Sequence, residues 1–183
     1  MKKHNLAFID LETTGLNPEK HEIIEIGCLI ARQKDRGVQG PLVEKIEEFE
    51  IKVKPTHIET ADREALRICG YNEADWVFAV DLKQALLQLA EMTKSSIMVG
   101  HNVSFDWVFL EKAFEETGVS PEFHYHKIDT IALSFAKLYD NPDAQKFSLR
   151  ALCELLNIKN EKAHTALSDV RATFELYKKL LGA

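Results

Sequence analysis

The stretch LAFIDLETTGL, residues 6–16, sets two acids inside a run that otherwise reads as a core strand. Leu6 to Leu11 form a short apolar strand, ended by a turn at Thr13-Thr14-Gly15. Alternate residues of a strand share a face, so Phe8, Asp10 and Glu12 point one way, with Ile9 and Leu11 on the other side. Two acids on one face at a strand end repel each other and are costly to desolvate. A divalent cation between them removes both penalties. The competing reading lets both acids leave the sheet and become solvated in the turn.

Outward from this strand, Ile23 to Ala31 reads as a second strand, with Ile24, Ile26 and Cys28 alternating against Glu25 and Gly27. Arg32 to Pro41, holding Gly37 and Gly40, reads as a hairpin-like loop, and Val43 to Val53 as a third strand, which gives an antiparallel meander. Helices are predicted at Ala61–Ile68 with Gly70 after it, and at Leu82–Met92 behind an Asp81 cap. Ile97–Gly100 is a short strand. A helix follows over Phe105–Thr117, capped by Ser104 and stopped by Gly118. Ile128 opens a last strand that runs into a helix at Thr130–Leu138. Ser148 caps a helix to Leu156, and the final helix spans Thr165–Leu181 with Ala166, Val170, Phe174, Tyr177 and Leu181 on one face. The segment Pro55–Val80, with Trp76 and Phe78, reads either as core or as the border of a site. Three strands followed by alternating helices and strands predict an α/β fold with a mixed sheet.

At 183 residues, with 45% hydrophobic and 28% charged residues, one domain over 1–183 is expected. No apolar run approaches a membrane span, and MKKHNLAFID shows no secretory pattern. Cys28, Cys69 and Cys153 are far apart among apolar neighbours. They read as reduced thiols of a cytoplasmic protein rather than a disulfide or zinc framework. The formal net charge of −6 argues against a tight nonspecific nucleic-acid binder but not against an enzyme that must release its product.

Two further segments carry acids. Asp106 falls in the first turn of a helix, where an acid also suits the helix dipole, yet it shares a face with Leu110 and Ala113. His101 and Asn102 stand at the strand-to-helix junction just before it. Asp169 flanks the apolar stripe of the last helix, and His164 lies five residues ahead of it. Imidazole is the natural general base near neutral pH. Four carboxylates and a histidine together make a cage for hard cations with a base beside it, the equipment for two-metal hydrolysis of a phosphodiester.

FIDLETTGL, HNVSFD and H-x-x-x-x-D, in this order, resemble the three motifs of the DEDDh family of 3′-to-5′ exonucleases, which includes polymerase proofreading subunits, ribonuclease T and oligoribonuclease. The resemblance runs from Leu6 to about Leu181, with IIEIG and the IDT triplet at Ile128–Thr130 as local echoes. It implies a ribonuclease H-like fold, a five-stranded mixed sheet whose first three strands are antiparallel, with helices on both faces. It also implies release of 5′-mononucleotides from the 3′ end of single-stranded DNA or RNA. Asp10 would be shared by two Mg²⁺ ions, Glu12 and Asp169 would complete the shells, and Asp106 would act through water. His164 would be the base, and Mn²⁺ should substitute for Mg²⁺. Thr13, Gly15 and Leu16, with His101 and Asn102, would contact the terminal nucleotide. A polymerase partner fits the family, although the polymerase-binding tail of some proofreading subunits is not expected here.

Two alternatives stand beside this. One is a different metal-dependent phosphohydrolase. DLETT superficially matches the D-x-D-x-T of aspartyl-phosphate phosphatases, but those need an aspartate where this chain has Glu12. The other is a catalytically silent exonuclease-like binding module, against which all four acids and His164 are present.

Overall fold

The computed structural model describes residues 2–35, 37, 41–160 and 164–182. Five strands form one sheet: β1 (Leu6–Thr13), β2 (Ile23–Asp35), β3 (Pro41–Lys52), β4 (Ile97–Gly100) and β5 (Lys127–Asp129), in the order β3-β2-β1-β4-β5. β1 runs antiparallel to β2, and β2 to β3, whereas β4 is parallel to both β1 and β5. This is the mixed sheet expected from the sequence. The helices are α1 (Arg63–Cys69), α2 (Leu82–Met92), α3 (Val103–Thr117), α4 (Thr130–Lys137), α5 (Leu149–Leu155) and α6 (Ala166–Leu181). Among the described residues, no helix is long and apolar enough to cross a membrane.

The period-2 pattern of β1 divides the core. Ala7, Ile9 and Leu11 pack with α2 and α3 through Leu86, Leu89, Leu110 and Ala113. Leu6 and Phe8 face the other way, against Val170, Phe174 and Tyr177 of α6. The Phe8 ring meets Phe174 edge-on at 5.3 Å and Tyr177 at 5.4 Å. Full burial of such a ring stabilises the fold by roughly 1.5–3 kcal/mol. Gly27 on β2 lets α6 approach, because a Cβ there would overlap the backbone of Ala166. A smaller cluster of Leu152, Leu176 and Leu180 holds α5 to α6.

Several boundaries differ from the sequence reading, each for a tertiary reason. β2 continues to Asp35 and β3 starts at Pro41, so much of the expected Arg32–Pro41 loop is sheet, while Gly40 lies outside the described residues. Pairing across the hairpin supports these polar residues where local pattern does not. α3 begins at Val103, not Phe105, and Ser104 is not its cap. Instead the Asp129 carboxylate accepts the Asn102 and Val103 N–H groups at 3.3 and 2.9 Å and also the Ile131 N–H of α4 at 2.8 Å. One acid from β5 therefore satisfies free donors at two helix starts. In the 55–80 segment, Trp76 is core, its Nε1–H donating to the Ile24 carbonyl at 2.9 Å, whereas Phe78 is 93% exposed.

Candidate active site

The sheet's pleat places Asp10 and Glu12 on the face that α6 covers, and α6 brings Asp169 over them in its first turn. Carboxylate oxygens of these three residues all lie within 4.8 Å of one another, the only such trio of potential metal donors among the described residues. The register of β1 slips between Glu12 and Thr13, so that Thr13 pairs with Ile23 rather than Ile24. Such a bulge re-aims the chain as it leaves the strand.

Asp106 arrives from α3 and is 3% exposed. Its Oδ1 accepts the Leu11 N–H at 3.0 Å, fixing the start of α3 to the strand that holds Asp10 and Glu12. It stands outside the trio but acts on it electrostatically. Burial raises the Asp10 carboxyl well above the usual carboxylate range, and Asp106, Asp169, Glu12 and Glu25 raise it further. Glu12 is pushed up to about 8 by burial, then by Asp169, Glu25 and Asp106. Burial lifts Asp106 to about 8 despite the Leu11 N–H. These acids would rather be protonated than charged together. A cation supplies what the protein withholds, and an all-oxygen donor set fits a hard ion such as Mg²⁺ or Mn²⁺.

Asp169 is held at both oxygens. Asn160 Nδ2 donates to Oδ1 at 2.6 Å and the His164 backbone N–H donates to Oδ2 at 3.1 Å. Asn160 is in turn fixed by Ser168, whose hydroxyl donates to its Oδ1 at 2.9 Å. His164 is exposed and has φ of 70°, a left-handed backbone that a non-glycine residue adopts at a cost of about 1–3 kcal/mol. That strained backbone puts its N–H on Asp169.

The turn after β1 is tightly built. Thr13 Oγ1–H donates to the Gly15 carbonyl at 2.8 Å, and the Thr14 N–H reaches the Glu22 carbonyl at 2.9 Å. Gly15 is required by close approach, since a Cβ there would come within 2.6 Å of the His21 ring. Leu16 at the end of the turn is 80% exposed, an apolar side chain presented to solvent. Asn102 is exposed and left-handed, φ 68°, at the cap of α3.

His101 is placed differently from the expectation of a nucleotide contact. Its Nδ1 lies 2.9 Å from Thr130 Oγ1 and its Nε2 2.9 Å from the Phe147 carbonyl, so both nitrogens are engaged by protein. Burial pushes its pKa down, and the ring ties β4 to the start of α4.

Sequence reasoning overlooked Glu25 and Asn160. Glu25, 2% exposed, stands directly opposite Glu12 on β2. Its signal was an acid within the apolar run IIEIG. Asn160 had none, because its partner Asp169 is nine residues away.

Clustered acids at the end of the central strand of a mixed sheet, closed by a helix bearing another acid, make a site able to hold a divalent cation. The exonuclease family model RNase T matches residues 7–177, and the chain belongs to this DEDD-type exonuclease family. It is 30% identical over 176 residues to a PolC-type DNA polymerase III of Thermotoga petrophila and 29% identical over 170 residues to that of Thermotoga maritima. These matches cover 94% and 92% of the chain but only 12% and 11% of the length of those curated relatives. Among solved structures, exonuclease I superposes with a TM-score of 0.79 at 18% identity, covering 98% of this chain and 42% of that one. A 3′-exonuclease described by its 3′-end-specific recognition of histone mRNA stem-loop superposes at 0.75 and 17% identity, covering 98% and 82%. These likenesses establish the ribonuclease H-like fold.

Proposed function

We propose that this domain is a 3′-to-5′ exonuclease that removes 5′-mononucleotides from a free 3′ end of single-stranded DNA or RNA, using two Mg²⁺ ions for which Mn²⁺ substitutes. The observation that carries this is the convergence of Asp10, Glu12 and Asp169 within 4.8 Å, with Asp106 bonded to the same strand. Asp10, Glu12 and Asp169 would hold the ions, with Asp10 central among them, and Asp106 would support the set from α3. When bound, the ions supply positive charge and Lewis acidity at the scissile phosphate. His164 accepts the proton of the attacking water as general base. Leu16 and the Thr13–Gly15 turn receive the terminal base, and Asn102 lines the mouth. His101 supports this mouth from behind.

Support comes also from neighbours: Escherichia coli exonuclease I is solved with a dT13 oligonucleotide. The PolC-type relatives carry the matching segment in a polymerase, which favours a polymerase partner. Cys28, Cys69 and Cys153 are buried free thiols, which supports a reducing compartment such as the cytoplasm.

The test is digestion of 5′-labelled single strands, DNA and RNA, with and without Mg²⁺. Mg²⁺-dependent release of 5′-mononucleotides and protection by a 3′ phosphate are expected. Efficient digestion of the blocked strand, or mid-chain cuts in a circular single strand, would replace it with an endonuclease. Binding without hydrolysis under any divalent ion would favour the silent module.

A further inference from the structure

We infer that Glu25, an acid outside the four that the proposed function uses, is a positioning residue that sets Asp169 over Asp10 and Glu12. The inference deepens that reading and rests on it.

Glu25 is 2% exposed and sits across the sheet from Glu12, where its charge adds to the repulsion that Asp10 and Glu12 already feel. A buried carboxylate in such company is expensive unless its oxygens are used. Both are. Oε1 accepts the Ala166 N–H, the first residue of α6, at 2.8 Å. Oε2 lies 3.7 Å from Lys52 Nζ, which stands 3.6 Å above the Trp76 ring, and Trp76 is itself bonded to the Ile24 carbonyl.

The bond to Ala166 matters because of how α6 begins. A helix start exposes N–H groups that need partners, usually from the cap side chain. Thr165, the cap of α6, makes no such side-chain bond, and Ala166 is fully buried. Glu25 therefore caps α6 from another strand. Two residues on, Gly27 allows the Ala166 backbone to rest on β2. Both contacts come from one strand and fix the height and tilt of the first turn. Asp169 lies in that turn, three residues past Ala166, with its own N–H bonded to the Thr165 carbonyl at 3.1 Å. A ligand that is bonded at its carboxylate but carried on a loosened helix start would miss the trio geometry. Supporting residues of this kind typically change metal affinity by about 10–100-fold.

Two conservative substitutions separate this role from direct participation. E25Q keeps an acceptor at the same reach for the Ala166 N–H and gives up the charge. E25D keeps the charge but draws the carboxylate back by one methylene, about 1.5 Å. If Glu25 were a further metal ligand, Asp would serve better than Gln. If it positions α6, Gln serves better than Asp. We would titrate Mn²⁺ calorimetrically into the full chain, with chelator melts confirming that each variant is folded. Wild type should bind, D10N should bind much more weakly, E25Q should stay within about threefold of wild type, and E25D should lose about 10-fold or more. Gly27→Ala, which retains every acid but displaces Ala166, should lose affinity like E25D and serves if E25D does not fold. Wild-type affinity in E25D, or greater loss in E25Q than in E25D, would overturn the inference. Equal Mn²⁺ affinity in wild type and D10N would instead overturn the metal-site reading beneath it.

Discussion

Removing metal should make this fold sensitive to mild alkali. Glu12 and Asp106 are pushed up to about 8, and Asp10 is raised with them, while in the unfolded chain carboxylates titrate near 4, roughly. Between these values the folded state holds protons that the unfolded chain has released. The sign follows: the stability is complete below the unfolded pKa and is lost as pH rises toward the folded one. Each excess proton gives a slope of about 1.4 kcal/mol per pH unit. Three acids set the upper limit, but they share protons and water reaches the site mouth, so one net proton is the working value. From about pH 6.5 to about pH 8 the metal-free protein should lose about 2 kcal/mol, or roughly 4–8 °C in Tm for a domain of this size. Saturating Mg²⁺ or Mn²⁺ replaces those protons and should flatten the slope. The assay is a set of thermal melts across this range, in chelator and in metal. A chelated protein whose Tm does not fall with pH, or falls equally with Mn²⁺ present, would rule out this proton linkage.

Other outcomes follow from individual residues. Asp10→Asn should abolish hydrolysis while its Tm in chelator at about pH 8 equals or exceeds wild type, because repulsion from Asp106, Asp169 and Glu12 is relieved; near wild-type turnover would remove Asp10 from its assigned role. His164→Ala should cut turnover by roughly 10²–10⁴, with little change in calorimetric Mn²⁺ affinity. A collapse of Mn²⁺ binding with turnover retained would reverse that assignment. Phe8→Ala should destabilise the fold by roughly 3–5 kcal/mol in urea melts, since the ring is fully buried against Phe174 and Tyr177; a loss under about 1 kcal/mol would mean that the sheet–α6 interface collapses around the gap.

The acids were legible because local periodicity governs them. A period of two put Asp10 and Glu12 on one face, and helical spacing put Asp106 and Asp169 beside apolar stripes. The sheet followed from the same alternation. What escaped depends on register and docking. Glu25 reads as a routine polar member of a strand, and only the pairing with Glu12 and the arrival of α6 bury it. Asp129 was visible as part of the IDT triplet, but its capping of α3 requires β5 to lie beside β4. His101 looked available in sequence, while the fold spends both its nitrogens on Thr130 and Phe147.

Asp10, Glu12 and Asp169 are the proposed holders of the ions that would assist phosphodiester hydrolysis. The most direct measurement is anomalous diffraction from crystals of the protein soaked in Mn²⁺ with a short single-stranded oligonucleotide. Mn²⁺ peaks are expected in contact with Asp10, Glu12 and Asp169, lost in Asp10→Asn crystals, with the free 3′ end of the strand beside them. Mn²⁺ bound only elsewhere, or a strand seated with its 5′ end at these acids, would contradict it.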